Sequence, residues 1–517
     1  MTLLRRRILC IAAIAALAQT LGSASLQAQA SSSASGERPA GQAQAADPSD
    51  SRSAPDEAGH FLELGRRISP WSVSPFVLIL LAIAILPLLG GHWWESHVNK
   101  GVVSLLCALP VLAYLLNKGP IGLQVLTSVI HDYYAFTVLL VALFTISGGI
   151  FVDGDLEATP LVNTAFLAIG SILASFIGTT GAAVLLIRPL LKTNAERTRK
   201  THVFVFFIFL VANVGGSLLP VGDPPLFLGY LYGVPFFWTL RALWPAWLTA
   251  VAVLLAVFYL WDTMAYSREP ESALRRDERR RTRLTIHGRT NFLLILGVLL
   301  ATIYLRQFTL ADGTILDVSW MRQPVMLLLA LVSFGVDYRR REVARIAGKL
   351  HVRTPRERNH FTFAPMIEVA VLFLGIFVTM TPAICLLRAF GAESGITQPW
   401  QFFWMTGGLS SFLDNAPTYA TYFALGQGVT QALLSAQPGL PVVQTHSGPI
   451  AANILAAISL GAVFMGANTY IGNAPNFMVR AICEEAKVRM PSFFRYMLYS
   501  GCILIPTFLL LTLIYVR

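Results

Sequence analysis

The chain has 517 residues, of which 55% are hydrophobic and only 13% charged, and its mean hydropathy is +0.60. Its apolar residues fall in repeated blocks of roughly 17 to 25, the length that crosses a bilayer, so the composition excludes an ordinary soluble domain. The net charge of +11 does not point to nucleic acid, because the arginines sit in short runs between apolar blocks, where they set topology.

Taken in order, residues 1–30 join Arg5, Arg6 and Arg7 to an apolar run from Ile8 to Leu21 and to Ala28-Gln29-Ala30, the pattern of a signal peptide cleaved after Ala30. Residues 31–68 are rich in Ser, Ala, Gly, Gln and Pro and read as a disordered extracytoplasmic tail. Spans are predicted over 72–90, 101–117, 132–151, 203–235 with an internal break, 241–261, 291–310, 323–337, 365–387, 450–480 with an internal break, and 492–516. Two further segments, 161–191 and 400–434, carry a breaker near the middle. They are predicted as re-entrant helical hairpins whose arms cross only part of the bilayer, with full helical hairpins as the alternative. Five scattered cysteines (Cys10, Cys107, Cys385, Cys483 and Cys502) show no CxxC spacing and read as packing residues or part of the signal.

The stretch Val221-Gly222-Asp223-Pro224-Pro225-Leu226-Phe227 lies over Ile471-Gly472-Asn473-Ala474-Pro475-Asn476-Phe477, and Ser175-Phe176-Ile177-Gly178-Thr179-Thr180-Gly181 lies over Ser411-Phe412-Leu413-Asp414-Asn415-Ala416-Pro417. Two interrupted apolar segments in corresponding positions of two halves point to a transporter binding site. The fold class expected is an all-α polytopic membrane protein of two inverted-topology repeats, each with a re-entrant hairpin and a broken helix. The first repeat would run over 69–261, a basic cytoplasmic linker over 262–290, and the second repeat with extra helices over 291–517.

Charge supports one orientation. Predicted cytoplasmic loops hold eight arginines (262–290), seven arginines and Lys349 (337–364), and Lys192, Arg197, Arg199 and Lys200 (192–202), whereas 435–449 has no Lys, Arg, Asp or Glu. The expected location is therefore the bacterial inner membrane, multi-pass, with the mature amino terminus extracytoplasmic.

A helix opened at bilayer depth frees N–H and C=O groups that protein, water or an ion must satisfy. The four breaks carry Thr179 and Thr180; Ser217 and Asp223; Asp414 and Asn415; and Asn468, Thr469, Asn473 and Asn476. These are hard-oxygen ligands without the thiolate or imidazole of a transition-metal site. A carboxylate at that depth is costly and is read as functional, so Asp223 and Asp414 are the expected shared H⁺ and Na⁺ ligands. The competing reading is that each caps a half-helix. Glu368 is a candidate proton relay or an interfacial acid. Asp153, Asp155 and Glu157 form an acidic loop, Arg188 reads as snorkelling, and His131 and His202 read as interfacial.

Through Ser147-Gly-Gly-Ile150, Ala158-Thr-Pro-Leu-Val-Asn163, Ala174-Ser-Phe-Ile-Gly-Thr-Thr-Gly181, Gly222-Asp-Pro-Pro225 and Asp414-Asn-Ala-Pro417, residues 72–517 resemble the ion-transporter superfamily. The resemblance is greatest to bacterial proteins named as sodium/proton antiporters or citrate transporters. It implies secondary transport, and the acid at the second hairpin tip, where dicarboxylate symporters carry a neutral triplet, favours sodium/proton antiport by alternating access. The alternative is sodium- or proton-coupled transport of citrate or a related anion. No enzyme is expected: an aspartyl-protease dyad would need the first glycine of Gly-x-Gly-Asp, which Pro220-Val221-Gly222-Asp223 lacks. A passive channel fits the paired interruptions less well than a carrier. No cofactor is expected beyond Na⁺ and H⁺ as transported or coupling ions. Partners would be small ions or a small anionic substrate, membrane lipid and, as an option, a second copy in a homodimer, without nucleic acid.

Overall fold

A computed structural model describes residues 55–516 apart from 90–92, 95, 280, 310–314, 340–341 and 347–348. The expected signal peptide and most of the expected tail lie outside the described residues. The chain is an all-α polytopic membrane protein, and among the described residues eight helices are long and apolar enough to cross a membrane.

The helices follow the hydropathy pattern closely. In order they are α1 (Pro55–Arg67), α2 (Ser74–Leu89), α3 (His97–Leu116), α4 (Pro120–Gly148), α5 (Pro160–Ile177), α6 (Thr179–Thr193), α7 (Thr201–Leu210), α8 (Pro224–Leu231), α9 (Trp238–Tyr266), α10 (Glu271–Arg279), α11 (Thr290–Tyr304), α12 (Arg322–Arg339), α13 (Pro355–Arg358), α14 (Ala364–Phe390), α15 (Pro399–Ser410), α16 (Asn415–Ala436), α17 (Ala452–Met465), α18 (Ala474–Glu485) and α19 (Phe493–Tyr515). Two short strands, β1 (Phe151–Asp155) and β2 (Thr282–His287), pair antiparallel outside the helices.

The same order of elements occurs twice: a long helix (α4, α14), a hairpin (α5–α6, α15–α16), a broken helix (α7–α8, α17–α18) and a long helix (α9, α19). The two long helices α4 and α14 are the most buried spans and pack on each other, with α1, α2, α3, α11 and α12 against them. Aromatic rings seal this contact, Phe136 stacking on Phe373 at 5.1 Å. The hairpins and broken helices form the other side of the molecule, joined to the first through α4 on α6 and α14 on α16.

The hairpins open toward opposite ends of α14. Lys192, at the end of α6, and Arg358, just before α14, both reach Asp153 in β1, while Asn359 donates to the carbonyls of Gly148 and Ile150. The far half of α16 instead lies on the last turn of α14, where a Cβ on Gly428 would meet the Leu387 carbonyl at 2.6 Å.

Several expectations are corrected. The end of the supposed tail is ordered: α1 buries Phe61 and Leu64 on α14, and Gly65 lies so close that an added Cβ would stand 2.2 Å from the Cys385 carbonyl. Residues 262–290 do not form a plain linker, since they finish α9, form α10 and supply β2. The hairpin arms are unequal, with 18 and 15 residues in α5 and α6 and 12 and 22 in α15 and α16. At about 1.5 Å per residue, α16 is long enough to cross a core of about 30 Å and α15 is not, because the breaker lies off centre. His202 is buried rather than interfacial: its Nε2 lies 2.8 Å from Asp262 Oδ1 and its ring stacks on Trp261.

Candidate functional site

The breaks are made by residues that cannot continue a helix. Pro224 directly follows Asp223 and holds it extended, whereas Asn473 is the extended cap residue before a helix that carries Pro475 in its first turn. Asp223 has φ −143° and ψ 143°, and Asn473 has φ −151° and ψ 137°. The aligned pair thus shares one backbone conformation. The aligned glycines also match: a Cβ on Gly222 would meet Gly216 O at 2.2 Å, and one on Gly472 would meet Gly466 O at 2.6 Å. Each break is a tight loop that only glycine closes.

Each hairpin tip is fastened to the break of its own half. Ser175 donates to the Gly215 carbonyl and accepts from Leu218 N–H, and Thr179 N–H donates to Gly222 O at 2.8 Å. In the second half Ser411 donates to the Met465 carbonyl at 3.1 Å, Asn468 Nδ2 donates to Ser411 Oγ at 2.9 Å, and the Thr469 hydroxyl donates to Ser411 O. Gly178, with φ +82°, makes the first tip turn possible.

Asp223 joins the halves. It is 1% exposed, its Oδ1 accepts from Thr179 Oγ1 at 2.8 Å and from Asn473 Nδ2 at 3.4 Å, and its Oδ2 accepts from Asn415 Nδ2. One carboxylate is therefore held by both hairpin tips and by the opposite break. Behind it Asn213 donates to Asn476 Oδ1 at 2.6 Å and accepts from Asn473 Nδ2 at 3.2 Å, while Asn476 donates to Gly466 O and Thr469 O. Helices α6, α8, α16 and α18 all begin at this point, so four positive dipole ends surround it. The Oδ1 atom of Asn415 is buried without a hydrogen-bond partner, as is that of Asn468. Asp223 and the Asn415 amide oxygen are the donors able to hold a small hard cation. Among the described residues no group of three or more His, Cys, Asp or Glu residues is placed to hold a metal ion.

Of the residues singled out in the sequence, Thr179, Asn415 and Asn473 touch Asp223, and Asn468 and Thr469 brace the second tip. Asp414 sits at the amino end of α16, where its side chain accepts from Ala416 N–H at 3.2 Å; the capping role weighed for it is realised. Thr180 is half-buried one position beyond the contact. Ser217 bonds only locally, to Val214 O. Glu368 is remote from the cluster and pairs with Lys100 Nζ at 2.5 Å. Asn213, Ser175 and Ser411 were missed as site residues. Asn213 was legible as an amide within the apolar run Val203–Val214, and the two serines as aligned members of the hairpin motifs.

The acidic loop is tied down rather than free. Asp153 pairs with Lys192 and Arg358, and Glu157 with Arg281. Partial burial raises the Asp153 pKa, but the Lys192 hydrogen bond, the Gly154 N–H and the two cations outweigh it and leave it below the ordinary carboxylate value.

A family model described as "Putative citrate transport" matches residues 65–516. No curated protein matches the chain. With the match covering nearly the whole of the membrane region described above, the chain belongs to that family and is a multi-pass membrane transporter.

Proposed function

We propose that the protein is a secondary transporter that carries citrate or a related carboxylate together with H⁺ or Na⁺, by alternating access between two inverted repeats. The observation that carries this reading is the Asp223 carboxylate, buried and held by neutral side chains where four helices begin. The helix amino ends favour an anion, and Asp223 gives a coupling cation its ligand. The two requirements interlock. An anion about 4 Å from an ionised Asp223 would be repelled by about 4 kcal/mol at an effective dielectric of 20, so it is admitted only once H⁺ or Na⁺ has neutralised the acid. Coupling then follows from electrostatics without a separate gate.

Sodium/proton antiport is the second reading. It is favoured by Asp414 immediately beside Asn415 and by the neutral character of the three side chains that hold Asp223. Proteoliposomes distinguish the two. Uptake of labelled citrate driven by an inward Na⁺ or H⁺ gradient, abolished in Asp223→Asn, is the expected result. If Na⁺ or Li⁺ alone dissipates a pH gradient and citrate is not taken up, antiport replaces symport. Citrate uptake that stays coupled to the ion gradient in Asp223→Asn would remove Asp223 from the mechanism.

A further inference from the structure

A second polar cavity lies far from Asp223, where the loop between α18 and α19 meets the start of α7. It measures about 650 Å³ and is lined by Thr201, Lys487, Arg489, Arg495, Tyr499 and Glu484, among others. That volume falls within the range of about 300 to 1,000 Å³ typical of small-ligand pockets. The Thr201 hydroxyl donates to the Arg489 carbonyl at 3.1 Å and holds the two walls together. The lining is cationic in effect as well as in count. Glu484, the acid of the wall, is engaged by Arg480 at 2.8 Å, whereas Lys487, Arg489 and Arg495 have no ion-pair partner among the described residues.

The surroundings say what kind of anion fits. Arg495 lies in the first turn of α19, a membrane-crossing helix, flanked by Phe494 and Leu498, which are 78% and 68% exposed. Tyr499, which also lines the cavity, stacks on Trp261 at 5.7 Å. Exposed apolar side chains beside cations and stacked aromatic rings mark the level where headgroups meet acyl chains. The cavity is also on the arginine-rich face, because the Thr198 and Arg199 N–H groups just before α7 are held by Glu269, in the arginine-rich segment that follows α9.

We infer that this cavity binds the phosphodiester headgroup of an anionic phospholipid, with Lys487, Arg489 and Arg495 as its ligands and the acyl chains lying along Phe494 and Leu498. The site is separate from the Asp223 cluster and does not depend on which substrate that cluster carries. It touches both halves, since α7 leads into the first break and α18 leaves the second, so an occupied headgroup would bridge the two moving parts.

The test is lipid retention by the full-length protein, purified in mild detergent, mixed with equal amounts of phosphatidylglycerol and phosphatidylcholine, and read by native mass spectrometry. Wild type is expected to prefer phosphatidylglycerol by about tenfold or more, from three cations at a headgroup. The triple variant Lys487→Gln, Arg489→Gln, Arg495→Gln should bring the ratio near one, while Arg283→Gln with Arg289→Gln, exposed in β2 and just after it, should leave it unchanged. Should the triple variant fail to fold, Arg489→Gln and Arg495→Gln singly are each expected to lower the ratio by about two- to fivefold, and Arg495→Lys to keep it. No preference in wild type, or an undiminished one in the glutamine variants, overturns the proposal. Inorganic phosphate added to delipidated protein should leave the thermal midpoint in place; a rise equal to that from phosphatidylglycerol would reassign the cavity to a soluble anion.

Discussion

Asp223 is held by a hydroxyl and two amides, whereas two other buried acids, Asp262 and Asp337, face Arg197 and Arg356. An arginine partner would lock the carboxylate in its ionised form and make release of a cation costly. Neutral donors stabilise the charge without fixing it, which suits a group that must bind and release H⁺ or Na⁺ in every cycle. Truncating one donor should therefore weaken the site rather than destroy the fold. Asn415→Ala is expected to lower the apparent affinity for the coupling ion by about tenfold, the worth of one buried hydrogen bond to a charge, with maximal uptake much less affected. The titration of initial uptake rate against Na⁺ or H⁺ checks this, and an unchanged half-saturation value would show that Asn415 only packs. A second residue-scale prediction lies outside the membrane. Glu269 is partly buried, which raises its pKa, but it accepts from the Thr198 hydroxyl and from the Thr198 and Arg199 N–H groups beside Arg197, so its pKa ends below the ordinary 4.5. A depressed acid contributes stability above that ordinary value and loses it as pH falls through the lowered native value. Glu269→Gln should thus lower the melting temperature at pH 7 and flatten its decline below about pH 4.5. Equal melting curves for both proteins at neutral pH would contradict the assigned bonds.

At the scale of elements, the site depends on two broken helices, within each of which backbone closes tightly on backbone. Gly222→Ala must push its Cβ against Gly216 O, 2.2 Å away. The expected cost is about 1–3 kcal/mol, with loss of uptake, because the displaced loop carries Asp223. Gly408→Ala, on α15 with nothing within 4 Å of its Cβ, is the control and should transport normally. Parallel thermal and uptake measurements decide, and a fully active Gly222→Ala protein would mean that the break relaxes easily. Much at this scale was legible in the residues themselves. Pro224, Pro225 and Pro475 mark where the helices stop, and the apolar blocks mark where they run. The lengths of the hairpin arms were less legible, because the break in 400–434 falls off centre and leaves 12 residues in α15 and 22 in α16. A broken element also hides its partners: Thr180 and Ser217 have the same chemistry as Thr179, yet only Thr179 turns inward, since the tip turn at Gly178 sets which of two neighbouring hydroxyls meets the acid.

For the molecule as a whole, the hairpins' contacts with opposite ends of α14 carry the proposed inverted arrangement. In a background without native cysteines, Arg199→Cys and Ser435→Cys should react with a membrane-impermeant maleimide from opposite faces, Ser435→Cys in intact cells and Arg199→Cys only after permeabilisation. Labelling of both from one face would rule out inversion. The amino-acid sequence by itself determined that this chain crosses a membrane many times, where its helices break, and that two halves repeat, because span length, proline and glycine act locally and leave their pattern in one dimension. It also singled out Asp223, since an acid inside an apolar block has few bland explanations. Only the tertiary structure decided which amides complete the site. Asn213, Asn415, Asn473 and Asn476 lie as much as 263 residues apart and meet only because the two breaks and the second hairpin tip pack together. It decided also that Glu368 faces Lys100 and that His202 lies in a buried cluster with Asp262. Those pairings depend on how helices are rotated and stacked against each other, and that rotation is set by packing over the whole fold.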